Sequence, residues 1–137
     1  EQRFVTFVLL VLDPTKHELT VVNAGHWDPV LRTKRGKLVN LTSDERGLPI
    51  GILEDQKYHA FQRRIGSGDA VVVFTDGFVD AENEQDEQYG DERLYEQLKL
   101  PASSAAELGQ NVVTSVLDHL GSAKQADDLS LVCLRRV

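Results

Sequence analysis

Apolar and β-branched residues recur in short runs through the first part of the chain, a pattern typical of strands. Residues 4–12 form a run broken only by Thr6, and its length fits a buried strand. Asp13-Pro14-Thr15-Lys16 then predicts a turn, because proline fixes φ at the second position. Residues 18–23 alternate along the chain, so we expect them to pair with the first strand as a hairpin.

The middle of the chain predicts a second hairpin and then a fully buried strand. Residues 30–33 and 37–41 flank a turn that contains glycine, and together they form the second hairpin. Residues 42–53 predict irregular structure, and residues 58–65 are a weaker strand candidate. Residues 70–74 are continuously apolar, which indicates a strand that is buried on both faces.

The clearest helix follows Pro101. Ser104 and Glu107 fit a capping box, in which serine and glutamate satisfy free amide groups at the helix start. Gly121 is a natural helix end. Between them, apolar residues recur at helical spacing and predict one buried face: Leu108, Val112, Val113, Val116, Leu117 and Leu120.

Shorter elements lie on either side of this helix. Residues 80–92 carry seven acidic side chains and most simply form a solvated loop, with a short helix near 92–98. Residues 129–137 predict a final strand. This order of elements, with hairpins first and one main helix late in the chain, predicts an α+β domain in which helices cover an antiparallel sheet.

Composition limits the classes of function that this domain can have. The chain has 137 residues, enough for one domain, and it is 41% hydrophobic, enough to build a core. Fifteen basic and 22 acidic side chains give a net charge of −7, which argues against nucleic-acid binding and against anionic membrane surfaces. No apolar run approaches the roughly 18 residues of a membrane span. One cysteine excludes an intrachain disulfide, and we expect a cytoplasmic protein.

The first candidate for chemistry is Thr75-Asp76-Gly77, at the end of the predicted buried strand. A carboxylate at Asp76 would project from a rigid sheet edge into the space beyond it. Gly77 would let the chain turn and a ligand approach closely. An ordinary Asp-Gly turn explains the same three residues, so this motif alone leaves both interpretations open.

The second candidate is the acidic pair Asp127-Asp128, directly before the final strand. Adjacent carboxylates are costly unless a cation or hydrogen-bond donors offset their repulsion. Hard oxygen ligands of this kind suit Mg²⁺ or Mn²⁺. The alternative is a solvated loop or a cap between helix and strand.

The third candidate is the loop Asn23-Ala24-Gly25-His26. A lone histidine after a glycine is more often a structural hydrogen-bonding group than a catalyst, so we expect His26 to be structural. We expect Trp27, the only tryptophan of the chain, to serve packing.

Taken together, the motifs resemble the metal-dependent PPM protein phosphatases. The likeness is closest to their bacterial branch, typified by the sporulation stage II protein E and the stress-response sigma-factor phosphatases. The order and spacing of seven short motifs carry it: Phe4-Val5-Thr6, Asn23-Ala24-Gly25-His26, Gly47-Leu48-Pro49-Ile50-Gly51, Gly68-Asp69, Thr75-Asp76-Gly77, Tyr89-Gly90 and Asp127-Asp128-Leu129-Ser130.

The resemblance implies an antiparallel β-sandwich flanked by helices, with two Mn²⁺ or Mg²⁺ ions at the sheet ends. The ions would activate a water that hydrolyses phosphoserine or phosphothreonine. By resemblance, Asp76 and Asp127 match metal ligands, and Asp128 is a lesser candidate. Gly25, His26 and Gly77 would shape the cleft. The implied substrate is a phosphorylated regulatory protein such as an anti-sigma factor antagonist, and an upstream sensor domain is common in such relatives.

The family's N-terminal part, which supplies further bridging aspartates, has no counterpart in residues 1–137. The chain also lacks methionine, so we expect residues to precede Glu1. We therefore interpret residues 1–137 as the C-terminal part of a PPM-type phosphatase domain, which alone would be inactive and prone to self-association. The competing hypothesis is a degenerate phosphatase that binds its partner without catalysis.

Overall fold

The computed structural model describes residues 3–42 and 46–137. Along these residues, six strands are followed by three helices and a last strand. Their order is β1 (Phe7–Asp13), β2 (Glu18–Ala24), β3 (Val30–Arg32), β4 (Leu38–Asn40), β5 (Ala60–Arg64), β6 (Ala70–Phe74), α1 (Asp76–Val79), α2 (Gly90–Lys99), α3 (Ala105–Leu120) and β7 (Leu131–Arg135). No helix in these two ranges is long and apolar enough to cross a membrane.

The strands form two antiparallel sheets, of order β1-β2-β5 and β4-β3-β6-β7. Leu19 and Val21 of β2 pack with Leu31 of β3 and Val71 of β6 in one buried cluster, so the sheets face each other. The predicted hairpins and the predicted α+β architecture of antiparallel sheet are confirmed.

Helices α2 and α3 cover the other face of the four-stranded sheet. Val72 and Phe74 of β6 pack there with Leu94 of α2 and Val112 of α3. Strand β6 is thus buried on both faces, as its continuous apolar run predicts. The buried Arg32 of β3 ties the end of α2 to the sheet, because its guanidinium donates to two carbonyl oxygens there, at 2.6 and 2.8 Å.

The start of α3 departs in one detail from the predicted capping box. The Ser104 hydroxyl accepts from the Glu107 amide at 3.0 Å, as expected. The Glu107 carboxylate, however, accepts from the amide of Ser103 at 2.7 Å and from the Ser103 hydroxyl, rather than from the Ser104 amide. These hydrogen bonds from Ser103 lower the pKa of Glu107.

The predicted apolar face of α3 is also too wide by one residue. Leu108, Val112, Val116 and Leu120 are buried at a spacing of four, but Leu117 is 49% exposed. Each residue turns a helix by about 100°, which carries Leu117 out of the stripe beside Val116.

Three further predictions need adjustment or lie partly outside the described ranges. Helix α2 begins at Gly90, two residues earlier than predicted, and so takes in the end of the acidic segment. Within that segment, Glu82 and Gln88 form an isolated β-bridge. The irregular segment 42–53 is confirmed where it is described, and residues 43–45 lie outside the described ranges. The final strand is shorter than predicted at both ends.

The prediction that residues 4–12 form a buried strand is wrong for one face. The strand begins at Phe7, and only Val8 and Leu10 contact the core between the sheets. Leu9 and Val11 point the other way and are 45% and 53% exposed, because the described residues place no layer over that face. Strand β1 also lies at the edge of its sheet.

We expect this exposed face of β1 to drive self-association of residues 1–137 expressed by themselves. An uncovered apolar strand at a sheet edge is a template for pairing with another chain. Sedimentation should show a mass that rises with concentration, and Leu9→Lys with Val11→Lys should reduce it. Leu117→Lys changes an equally exposed leucine on α3 and should not. A monodisperse wild-type monomer would contradict the expectation.

Candidate active site

Three segments meet at one end of the sandwich and enclose a cleft of about 350 Å³. They are the loop after β2, the irregular segment after β4, and the end of β6, and Thr6, just before β1, completes the lining. The antiparallel order of the strands brings them together, because β2, β4 and β6 all run towards this end. The residues that line the cleft are Thr6, Gly25, His26, Trp27, Arg46, Thr75 and Asp76.

Asp76 lies where the sequence analysis expects it, just beyond a buried strand. Phe74 is 1% exposed, whereas Asp76 is the exposed first residue of α1 and lines the cleft. Two hydrogen bonds join this corner to the start of β7: the Thr75 amide donates to the Ser130 carbonyl at 3.0 Å, and the Ser130 amide donates to the Thr75 hydroxyl at 3.1 Å. The position of Asp76 is therefore fixed by the sheet.

Gly77 allows the segment before β7 to approach the same corner. A Cβ atom at this position would lie 2.3 Å from the carbonyl oxygen of Asp128, closer than real side chains allow. Thr75 also approaches that oxygen through its hydroxyl, at 3.3 Å. Only a glycine lets these two stretches of backbone pack together. Glycine is required here because a side chain would clash, and not because of an unusual φ.

The acidic pair before β7 lies next to this corner, but the described cleft lining does not include either of its side chains. Asp127 and Asp128 are both exposed. The Asp127 carboxylate accepts from the Asp128 amide at 2.7 Å, and its backbone carbonyl accepts from Gln125 at 2.7 Å. The structure thus brings the backbone of Asp128 to Gly77, while convergence of the carboxylates of Asp76 and Asp127 stays a prediction.

A buried hydrogen-bond network fixes the loop that carries His26. Asn23 is 2% exposed, and its amide nitrogen donates to the His26 carbonyl at 3.1 Å and to the Thr42 hydroxyl at 2.9 Å. Its oxygen accepts from the His26 amide at 2.9 Å. Asp28 accepts from both Asn23 and Thr42. The network joins the loop after β2 to the segment after β4, and both line the cleft.

Gly25 and His26 line the cleft within this network. Gly25 has φ +74, and a Cβ there would lie 2.4 Å from Pro49, so the tight loop requires glycine. The Nδ1 atom of His26 lies 2.9 Å from the Trp27 carbonyl. A carbonyl can only accept, so Nδ1 carries the proton and Nε2 is left for other contacts.

Two of these features were not found by sequence reasoning. Asn23 interrupts an otherwise apolar strand end, and that buried amide is the signal that could have indicated the network. Arg46 gives no signal in the sequence, because its cleft position depends on how the irregular segment folds back. The predicted packing role of Trp27 is confirmed by its ring, which lies 6.0 Å from that of Phe74.

The single cysteine, Cys133, has no part in this cleft. Burial against α3 raises the pKa of its thiol to about 11. The thiol therefore stays protonated at neutral pH and cannot serve as the thiolate nucleophile of a hydrolase.

The ligand chemistry of this corner fits a divalent cation only in part. Asp76 and the neighbouring acidic pair offer the hard oxygen ligands that Mn²⁺ and Mg²⁺ prefer. Among residues 3–42 and 46–137, however, no three histidine, cysteine, aspartate or glutamate side chains are grouped closely enough to hold a metal ion. The described residues can thus supply some ligands of such a site but not a full coordination sphere.

Comparison with known proteins points to one family. A family model described as stage II sporulation protein E (SpoIIE) matches residues 1–137. Phosphoserine phosphatase RsbU of Bacillus subtilis is 30% identical over 135 residues, which cover 97% of this chain and 39% of that protein. The chain therefore spans well under half of that relative.

Two solved structures show the same fold. The SiaA-PP2C domain of Pseudomonas aeruginosa superposes with a TM-score of 0.78 at 22% identity, over 93% of this chain and 50% of that one. The Mn-presoaked phosphatase domain of SpoIIE from Bacillus subtilis gives a TM-score of 0.73 at 18% identity, over 96% and 56%. The chain belongs to the stage II sporulation protein E family, the bacterial branch of the PPM phosphatases that its motifs resemble.

Proposed function

We propose that the protein carrying this chain is a metal-dependent phosphatase that hydrolyses phosphoserine or phosphothreonine on a regulatory protein. An anti-sigma factor antagonist is the substrate class that we favour, because RsbU is a phosphoserine phosphatase and another structural neighbour joins RsbU and RsbW domains in one protein. We place the enzyme in the cytoplasm, with an upstream sensor or regulatory domain and no nucleic-acid partner.

The observation that carries this proposal is the position of Asp76. Asp76 lines a cleft at the end of the buried strand β6, and the segment holding Asp127 and Asp128 packs against the same corner at Gly77. The match of the family model to residues 1–137 supports this proposal. A turn with no chemical role would not need this close backbone approach beside a cleft.

The proposed roles follow from where the residues lie. Asp76 and Asp127 would hold metal, with Asp128 as a lesser candidate, and Gly25 and His26 would shape the entrance. Mn²⁺ or Mg²⁺, in the complete domain two ions, would lower the pKa of a bound water and offset charge on the phosphoryl group. We infer that the remaining ligands come from outside residues 1–137, which form the C-terminal part of the domain.

Removing the metal tests this proposal most directly. The full-length protein should release phosphate from a phosphoserine peptide, lose that activity in EDTA, and regain it when Mn²⁺ is added in excess. Phosphate release would be measured with a coupled colorimetric assay, with Ca²⁺ as the control ion. Turnover that persists unchanged in the chelator would contradict metal dependence.

A second candidate function is phosphoprotein binding without catalysis. The observation that favours it is the lack, in the described ranges, of three grouped metal-ligating side chains. The same assay separates the two functions: a binding module would retain the phosphopeptide at every Mn²⁺ concentration and release no phosphate.

A further inference from the structure

We propose that Arg46 is the residue of this cleft that recognises the phosphoryl group of the substrate. The inference rests on the proposed function and adds to it the group that distinguishes a phosphorylated from an unphosphorylated protein. Sequence motifs do not single out Arg46; its place in the cleft does.

Arg46 is the cationic side chain among the described residues that line the cleft. The others are polar, apolar or, in Asp76, acidic, apart from the imidazole of His26. Toward the described residues, its guanidinium makes one long hydrogen bond, 3.4 Å from Nη1 to the His26 carbonyl. A guanidinium carries five N–H donors, so most of them have no partner within the described ranges.

Among the residues that the structure describes, no acidic side chain lies at salt-bridge distance from Arg46. In the described part of the chain, the ion pair at salt-bridge distance joins Lys16 to Asp13, in the turn after β1 at the opposite end of the sandwich. Arg46 is exposed, so its charge stays hydrated and ready to exchange water for an anion. Two parallel N–H groups of a guanidinium match two oxygens of a phosphate better than an ammonium does.

The anchor of Arg46 is itself fixed. The His26 carbonyl that accepts from Arg46 also accepts from the buried Asn23 amide at 3.1 Å. The guanidinium thus contacts the hydrogen-bond network that shapes the cleft, although its own segment is irregular. Arg46 and Asp76 line the same cleft, so both charges border one space.

The negative charge of the substrate and of this end of the molecule favours a cationic residue in the cleft. A phosphoserine carries a charge of about −1.5 to −2 at neutral pH, and before metal is bound it would approach an end of the molecule that exposes Asp76, Asp127 and Asp128. The cationic Arg46 in the same cleft offsets this repulsion. Loss of the Arg46 charge should therefore weaken substrate binding more than it slows hydrolysis of the bound substrate.

The test uses the full-length protein and three substitutions at exposed arginines. Arg46→Gln removes the charge, Arg46→Lys keeps it without the planar fork, and Arg35→Gln is the matched control in the turn between β3 and β4, at the far end. KM and kcat are measured for a phosphoserine peptide with Mn²⁺. Affinity of the metal-free protein for a fluorescent phosphoserine peptide and for its unphosphorylated form is measured by anisotropy.

We expect Arg46→Gln to raise KM roughly tenfold with little change in kcat, because one charge-assisted contact is worth about that factor. Phosphopeptide affinity should fall in parallel, the unphosphorylated peptide should bind unchanged, and Arg46→Lys should recover part of the loss. Unchanged KM and phosphopeptide affinity in Arg46→Gln, or an equal loss for both peptides, would overturn the inference. If the wild type releases no phosphate, the proposed function fails, and the binding measurement still decides the role of Arg46.

Discussion

Asp76→Asn in the full-length protein is expected to lose at least about 100-fold in phosphate release while keeping its fold. Asparagine has the shape of aspartate but lacks its negative charge, so it cannot hold a divalent cation as tightly. Substitution of residues that merely support metal ligands costs about 10–100-fold, and a ligand itself should cost no less. Asp76 is exposed, so the free energy of unfolding should stay near the wild-type value.

Two measurements make this expectation specific. Turnover is followed at limiting and at saturating Mn²⁺, and thermal unfolding is recorded for each variant. Asp86→Asn is the matched control, because it removes the same charge from an exposed turn whose positive φ of 59° suits asparagine. Wild-type turnover of Asp76→Asn at limiting Mn²⁺ would remove Asp76 from the proposed site.

Gly77→Ala is expected to destabilise the domain and to reduce its activity as well. The new Cβ would meet the Asp128 carbonyl oxygen at 2.3 Å, and the obstacle is backbone rather than a flexible side chain. Either α1 or the segment before β7 must move, at a cost of about 1–3 kcal/mol by analogy with overpacked cores. The movement separates Asp76 from the acidic pair, so we expect a loss of Mn²⁺ affinity in addition.

Gly109→Ala provides the control for this second expectation. Gly109 also has an ordinary φ, but an added Cβ would meet only side-chain atoms, the nearest being Leu131 Cδ2 at 3.3 Å. Alanine is favoured over glycine within a helix, which offsets the mild crowding. Equilibrium unfolding in urea and Mn²⁺ titration should thus separate the two variants. A Gly77→Ala protein with wild-type stability and Mn²⁺ affinity would show that the approach of the two segments is not required.

Local pattern was sufficient for most elements of this fold. The alternation of residues 18–23 and the apolar run 70–74 gave strands at nearly their observed bounds, because side-chain period and burial are coupled in sheets. The capping serine and the glycine after Leu120 located α3 for the same local reason. Pattern was insufficient at β1 and at Leu117. An apolar side chain reveals that it favours burial, but whether another layer covers it depends on distant parts of the chain.

The candidate site also contains some residues that the sequence indicated and others that only the structure revealed. The sequence by itself indicated the family, through the order of short motifs, and it selected Asp76, Gly25 and His26, which line one cleft. It also selected Gly77, Asp127 and Asp128, and the convergence of Asp127 with Asp76 stays a prediction. It could not assign Arg46 or the Asn23 network, because their roles depend on an irregular segment folding back beside the end of β2. Contacts between segments far apart in the chain leave no periodic pattern. Only the tertiary structure could decide that Gly77 packs against the backbone of Asp128, and that Arg46 lines the same cleft as Asp76.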